Sequence, residues 1–443
     1  MAIIIDNKYG FFERNNCYFS INKKGLETQW SNFVMRPLYH KVDEGNSKRA
    51  FQITNEYNFS KVEEIDQADL SSARAFKTKM GKLGHFIWNG NNNQLIKLKE
   101  YLYEQTISVS TINQLGWNND GFFAFSNGII HNNLWIPANE YGIVDLPHNN
   151  HYLISTLSRF KNDNQFNLFD LRFIHEEYSY ITLKEYVEQF IRVFGNHAKV
   201  GICYLLATLF HDVVKATTRN FPFLYIFRPT GEDFEFENHL TSFFICDNTA
   251  IDIQNLPTNK LESHLSNYSN ILIHINDRKN KSNPLFLKCI YEGREWSSSS
   301  LTQRKQFKHK DCGIILSGEN NINSDLSLYS IMLICDINCK NLNQQNQREF
   351  NKLSEMRKLG CSHLTLEILK YRKKFEEEFP ANYKIVMNEL AAAMPPDTEE
   401  RVYRNWIIPL AAFRTLMYSL ELPFDYQDLF KISTEFMSRQ NKV

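Results

Sequence analysis

The stretch from Phe221 to Leu240 reads FPFLYIFRPTGEDFEFENHL, and its reading decides the fold. Its apolar start, Phe223 to Phe227, has the length and content of a buried strand. Pro229 and Gly231 then mark a turn, and an acidic segment rich in Phe follows. A strand, a tight glycine turn and a helix make the frame that cradles nucleotide phosphates. That chemistry needs G-x-x-x-x-G-K-[ST], because glycines let backbone N–H groups close on phosphate, a lysine pairs with its charge and a hydroxyl holds magnesium. The quoted stretch has no lysine. It is either a chance strand and turn or a nucleotide site without its chemistry.

The flanking sequence supplies the rest of the frame. Three further strand-like segments follow, at Ile271 to Ile275, Gly313 to Leu316 and Tyr329 to Ile334, separated by helical or irregular crossovers. That alternation predicts a mainly parallel sheet covered by helices. Upstream, Leu183 to about Thr217 has helical apolar spacing and reads as a bridge. Residues 1 to about 180 favour strands, in runs such as CYFSI, NFVMRPLYH, RAFQITN and FFAFSNGII set between Asn, Gly and Asp turns, with one helix at Asn93 to Tyr103. From Gln344 to the end the text is helical, with breaks expected at Pro380 and at Pro395 with Pro396. The expected domains are a β-rich domain over 1–180, a helical linker over 181–218, an α/β core over 219–345 and a helical lid over 346–443.

Composition sets the outer limits. A chain of 443 residues exceeds one hydrophobic core. Its formal net charge is +0, from 50 Lys and Arg against 50 Asp and Glu, so any nucleic-acid site has to be a local patch. The start, MAIIIDNKYGFF, is too short in apolar residues for a signal peptide, and no run nears the roughly 18 residues of a membrane span, so a cytoplasmic protein is expected. The eight cysteines are scattered. Cys335 and Cys339 are spaced as in some metal sites, but no second Cys or His pair lies at zinc-finger distance, so reduced thiols and no metal are expected.

Five segments of the front half carry a resemblance: SNFVMRPLYH (31–40), NSKRAFQI (46–53), GHFIWNGNNNQLIKLKEYL (84–102), QLGWNNDGFFAFSNGI (114–129) and YGIVD (141–145). In this order they resemble a domain of formerly unknown function that precedes the ATPase in DNA helicases and primase-helicases of phages, integrative elements and staphylococcal cassettes. The resemblance extends over roughly residues 10–440 and implies an AAA-type P-loop ATPase core of the kind that forms hexamers.

On that frame the quoted stretch falls where the phosphate loop belongs. A working relative reads something like G-P-x-G-x-G-K-S, whereas this chain reads Arg228, Pro229, Thr230, Gly231, Glu232, Asp233, Phe234, Glu235. Phe234 stands at the lysine position and Glu235 at the magnesium hydroxyl. Acidic groups where a triphosphate should lie repel it by several kcal/mol in a partly desolvated site. The metal-holding strand ends in Asn276 and Asp277, an amide and a short carboxylate where the resemblance implies Asp and Glu. Ser317 and Asn320 lie near the polar sensor, and Ile331 takes the place of the arginine finger. Phosphoryl transfer depends on positioned positive charge. The reading is therefore a degenerate ATPase fold that uses no cofactor and has no catalytic residues.

Between the second and third core strands lies EGREWSSSSLTQRKQFKHKD, residues 292–311. In helicases of the resembled type a hairpin here points into the ring channel. Arg294, Arg304, Lys305, Lys308 and Lys310 supply charge, while Trp296 and Phe307 offer stacking surfaces, the combination that holds single strands; a solvated loop is the plainer reading. His211 and Asp212 point about 100° apart on a helix and read as structural. Gly116, Trp117, Gly121, Phe122, Phe123, Phe125, Asn127 and Gly128 read as a tight β-turn-β core. The expected function is a catalytically inactive helicase-like protein of a mobile element or phage. It would bind DNA, or an active helicase or replication partner, as scaffold or loader and as an oligomer. Two alternatives stand beside it: an interaction subunit of defence or anti-defence without a nucleic-acid role, and an ATPase completed in trans or by Lys279.

Overall fold

The computed structural model describes residues 8–42, 47–154, 171–174, 181–227, 235–244, 250–252, 257–277, 283–294, 311–319, 326–337, 344–358, 361–395 and 398–440. The chain forms two compact units, each woven from two stretches: 1–113 with 136–164, and 114–135 with 165–443.

In the first unit, β1 (Phe12–Arg14), β2 (Cys17–Ile21) and β3 (Glu27–Gln29) form a small antiparallel sheet. β4 (Phe33–Lys41), β5 (Lys48–Asn55) and β6 (Ser60–Asp66) form an antiparallel meander. Two helices follow, α1 (Ala73–Lys82), capped by Ser72, and α2 (Asn92–Glu104), whose Asn91 and Gln94 make a capping box. α2 matches the expected helix to within a residue at each end. β7 (Ser108–Ile112) then runs parallel to β4. After an excursion into the second unit through β8 (Leu115–Asn118), β9 (Phe122–Phe125), β10 (Gly128–His131) and β11 (Leu134–Pro137), the chain returns as β12 (Ile143–Leu146) and β13 (Asn150–Ile154). The main sheet of this unit has the order β12-β13-β7-β4-β5-β6. An aromatic core of Phe11, Tyr18, Trp30, Phe33, Phe76, Phe86 and Trp88 holds it. Asparagines serve the turns, with Asn15, Asn16, Asn58 and Asn149 at positive φ.

The second unit opens with α3 (Leu183–Phe194), α4 (Asn196–Leu209) and α5 (His211–Thr218). They are no linker. Every residue of α4 from Val200 to Leu209 is buried, and the Tyr204 hydroxyl donates to Ile314 O at 3.0 Å. A helix apolar on all sides has to be enclosed, and α4 is the layer beneath the sheet. The sheet follows: β14 (Phe223–Phe227), β15 (Ile251–Asp252), β16 (Tyr268–Asn276), β17 (Asp311–Gly318) and β18 (Met332–Asp336), all parallel as expected. Among them run α6 (Phe236–Thr241), α7 (Thr258–Leu265), α8 (Pro284–Tyr291) and α9 (Leu326–Tyr329). The helical end comprises α10 (Gln344–Lys358), α11 (Ser362–Leu369), α12 (Arg372–Ala393), α13 (Glu400–Leu416) and α14 (Tyr426–Gln440).

Two expectations change here. Pro380 does not break a helix, since α12 runs through it. Proline deletes one ladder bond there, while buried Phe375 and Phe379 on one side and Val386 and Leu390 on the other anchor both halves. Nor does the first unit end near residue 180, because β8 pairs in parallel with the start of β16 and carries β9–β11 onto the second unit's sheet. The approach requires Gly116, at φ 93°, where a Cβ would lie 1.7 Å from Ser269 O.

Charge cements the surroundings of the β8–β16 pairing. β16 shifts register between Ser269 and Leu272, with Asn270 at φ 57°. The Asn270 amide donates to Leu209 O at 3.0 Å and to Asp212 Oδ1 at 2.5 Å. Arg372 forks onto both oxygens of Asp212 and lies 3.8 Å from the ring centre of Trp117. Among the described residues no single helix is long and apolar enough to cross a membrane.

Candidate nucleotide edge and basic segment

The parallel strands lie in the order β15-β16-β17-β14-β18, so the first of the five in the chain is flanked by the fourth and fifth rather than by the second. The crossover that leaves β14 leads to one side of the sheet and the one that leaves its neighbour β17 leads to the other, and ligands in open α/β sheets bind outside the carboxyl ends at such a switch point. The quoted stretch begins with β14, whose carboxyl end lies at that switch point. Arg228, Thr230, Gly231 and Phe234 lie outside the described residues, and Glu235 is the first residue after them.

The carboxyl edge is closely bonded. Phe227 stands beside Gly318 on one side and Asp336 on the other. Asn276 pairs with Ser317 and with Asp252. The Asp277 N–H donates to Ser317 O at 2.8 Å, and His274 Nε2 lies 2.7 Å from Ser317 Oγ. Burial, with the charge of Asp277 added, pushes the Tyr225 phenol well up. Asn276 and Asp277 are thus brought together at the edge, as the sequence placed them, with Ser317 on the adjoining strand. Asp252 and Asp336, which sequence reading did not single out, end on the same edge.

Glu235 precedes α6, and its Oε2 pairs with Arg357 Nη2 of α10 at 2.5 Å. No motif pointed to Arg357, because the two residues are far apart in sequence and meet only through the fold. α6 itself is wedged into apolar surroundings: Phe236 touches Phe190 and Phe194, and a Cβ on Gly201 would sit 2.9 Å from the Phe236 ring. The Tyr186 hydroxyl donates to His239 O at 2.9 Å. Burial pushes His239 down to about 3, with the Arg357 charge adding, so its ring is neutral.

The other singled-out residues sort as follows. Ile331 is fully buried at the amino end of β18, its N–H donating to Leu328 O. Arg294 is exposed just beyond α8 and pairs with Glu292 at 3.0 Å. Trp296, Arg304, Lys305, Phe307, Lys308 and Lys310 lie outside the described residues. The His211 ring lies tilted against Phe221, centroids 4.2 Å apart, and burial pushes it down to about 4, while Asp212 serves Arg372; the two neighbours work on different partners. Burial works to raise the Asp212 carboxyl, but the Arg372 hydrogen bonds and charge prevail and hold it low.

No model of a known protein family matches the chain, and no curated protein matches its sequence. Among solved structures it resembles one described as "SCCmec type IV Cch - active helicase", at a TM-score of 0.60 and 13% identity, over 98% of this chain and 79% of that one. The apo C-terminal region of NrS-1, residues 305–718, aligns over 92% of this chain and 88% of that one, at 11% identity and a TM-score of 0.30, too low to carry weight. The chain has a helicase-like α/β fold.

Proposed function

We propose that this chain is a helicase-like protein whose nucleotide site no longer works, and that it binds DNA or an active replication partner as scaffold or loader. It acts as an oligomer in the cytoplasm of a cell that carries a mobile element or phage. The observation that carries the reading is the Glu235–Arg357 pair at the start of α6, the first helix after β14. A nucleotide site needs a hydroxyl and unclaimed positive charge just after β14. This chain puts a carboxylate there, and the arginine beside it is already neutralised by that carboxylate. Asn276 supports the reading, because an amide carries no charge to balance magnesium.

The test is nucleotide titration of the purified chain by calorimetry with magnesium, followed by phosphate release with and without single-stranded DNA. No saturable binding and no turnover are expected. Stoichiometric micromolar binding, or magnesium-dependent turnover that Asp277→Ala abolishes, refutes the reading.

A further inference from the structure

In the first unit the turn between β5 and β6 is fixed by side-chain amides. Asn55 Oδ1 accepts the N–H groups of Tyr57 and Phe59, each at 3.0 Å, and Asn16 Nδ2 donates to Asn58 Oδ1 at 3.0 Å. The loop after α1 is clamped beside it: the Asn32 and Asn55 amides both donate to His85 O, at 3.3 and 3.2 Å, and the Ile87 N–H donates to Asn32 Oδ1 at 2.7 Å. Asn32 and Asn55 are themselves buried. What these two loops present outward is apolar, with Tyr57 76% exposed, Phe59 51% and Ile87 52%. The Phe59 ring rests on buried Phe86, centroids 5.8 Å apart. Ordered apolar surface in water costs free energy that a bound partner recovers, and a turn already fixed loses little entropy on binding.

Local charge identifies the partner. Across the sheet Lys61 stands opposite Ile53 and Glu63 opposite Phe51, both core residues, so Lys61 and Phe59 lie on the face that α1 covers. Glu63 is shared between two lysines: Lys79 of α1 pairs with it at 2.9 Å, which sets the last turn of α1 alongside this row, and half-exposed Lys61 lies 3.7 Å from its other oxygen. Lys82 follows one turn later, three residues before His85. α1 carries Arg74, Lys77, Lys79 and Lys82 and no acid, against Glu56 in the turn and Glu63 in β6, so positive charge is in excess.

We propose that Tyr57, Phe59 and Ile87, flanked by Lys61 and Lys82, form a platform for single-stranded nucleic acid, on which bases stack while the lysines meet phosphate. Aromatic faces beside backbone-tracking cations are the means by which proteins hold single strands without reading sequence. The proposal deepens the DNA-binding part of the function proposed above and rests on it.

The experiment is fluorescence anisotropy of a labelled oligothymidylate with the full chain, over a series of salt concentrations. Tyr57→Ala with Phe59→Ala should weaken binding by about tenfold or more at an unchanged salt slope, and Tyr57→Trp with Phe59→Trp should retain it. Lys61→Gln with Lys82→Gln should flatten the slope by roughly 0.7 for each phosphate that a lysine no longer neutralises. Equal affinity in the double-alanine variant overturns the platform. If that variant instead loses self-association in sedimentation, the face belongs to a second copy. In either case, loss of DNA binding in Arg304→Ala with Lys305→Ala and Lys308→Ala leaves the functional reading standing. Absence of DNA binding by the unmutated chain at low salt overturns the platform and the DNA part of that reading together.

Discussion

Acid should unfold the second unit through its histidines. His211, His239 and His264 are buried, and burial lowers them from 6.5 to about 4, 3 and 4. Half-buried His197 moves the same way. The folded values lie below the unfolded one, so the unfolded chain takes up protons first; stability is complete above about pH 6.5 and falls as the pH drops toward 4. Each histidine contributes a limiting slope of about 1.4 kcal/mol per pH unit. Between pH 8 and 5 each removes about 2 kcal/mol, and the four together about 8, comparable to the whole stability of a domain. Urea unfolding at constant ionic strength from pH 8 to 5.5 should show a falling midpoint and a slope approaching about 5 kcal/mol per pH unit. His239→Gln and His264→Gln should each remove about a quarter of it, after correction for their cost at pH 8. A midpoint independent of pH, or an unchanged slope in both variants, refutes the assignment of these rings as neutral.

Arg372→Ala should cost about 1–3 kcal/mol, because it leaves the partly exposed Asp212 without its counter-charge; Arg372→Lys should recover little, since an ammonium cannot fork onto both oxygens, and denaturant midpoints decide both. Gly116→Ala should lower soluble yield sharply, given the 1.7 Å approach to Ser269 O, whereas an equal melting temperature would contradict the β8–β16 pairing. Phe234→Lys with Glu235→Ser should give little or no ATPase activity in a phosphate-release assay, and robust turnover would show that the rest of the site is intact.

Much of the second unit was legible because its strands are long apolar runs between polar breaks, and β14 matches the expected Phe223–Phe227. Strand order was not legible, because apolar content says that a strand is buried and not beside which neighbour. The transfer of β8–β11 escaped for the same reason: Leu115 meets Tyr268 across about 150 residues, and no change in composition marks the crossing. The all-apolar face of α4 did signal enclosure, and its placement as a linker overlooked that. At the candidate edge Asn276, Asp277 and Ser317 were placed by strand ends, whereas Arg357 had no local signal. The exposed rings of Tyr57 and Phe59 were invisible in a sequence with many aromatics, since only the fold separates exposed rings from buried ones.

The pairing of β8 with β16 also sets a timetable for synthesis. Phe122, Phe123 and Phe125 leave the ribosome with the first unit but are covered by strands and helices made later, Phe123 for instance by Phe244. At about 5–20 residues per second, Leu115 waits on the order of ten to thirty seconds for Tyr268. During that interval a hairpin of sequence FFAFSNGII has no sheet to join and attracts chaperones or its own copies. Slow translation between residues 137 and 268 would lengthen that exposure, so codon choice in this segment should govern how much of the protein reaches the soluble fraction.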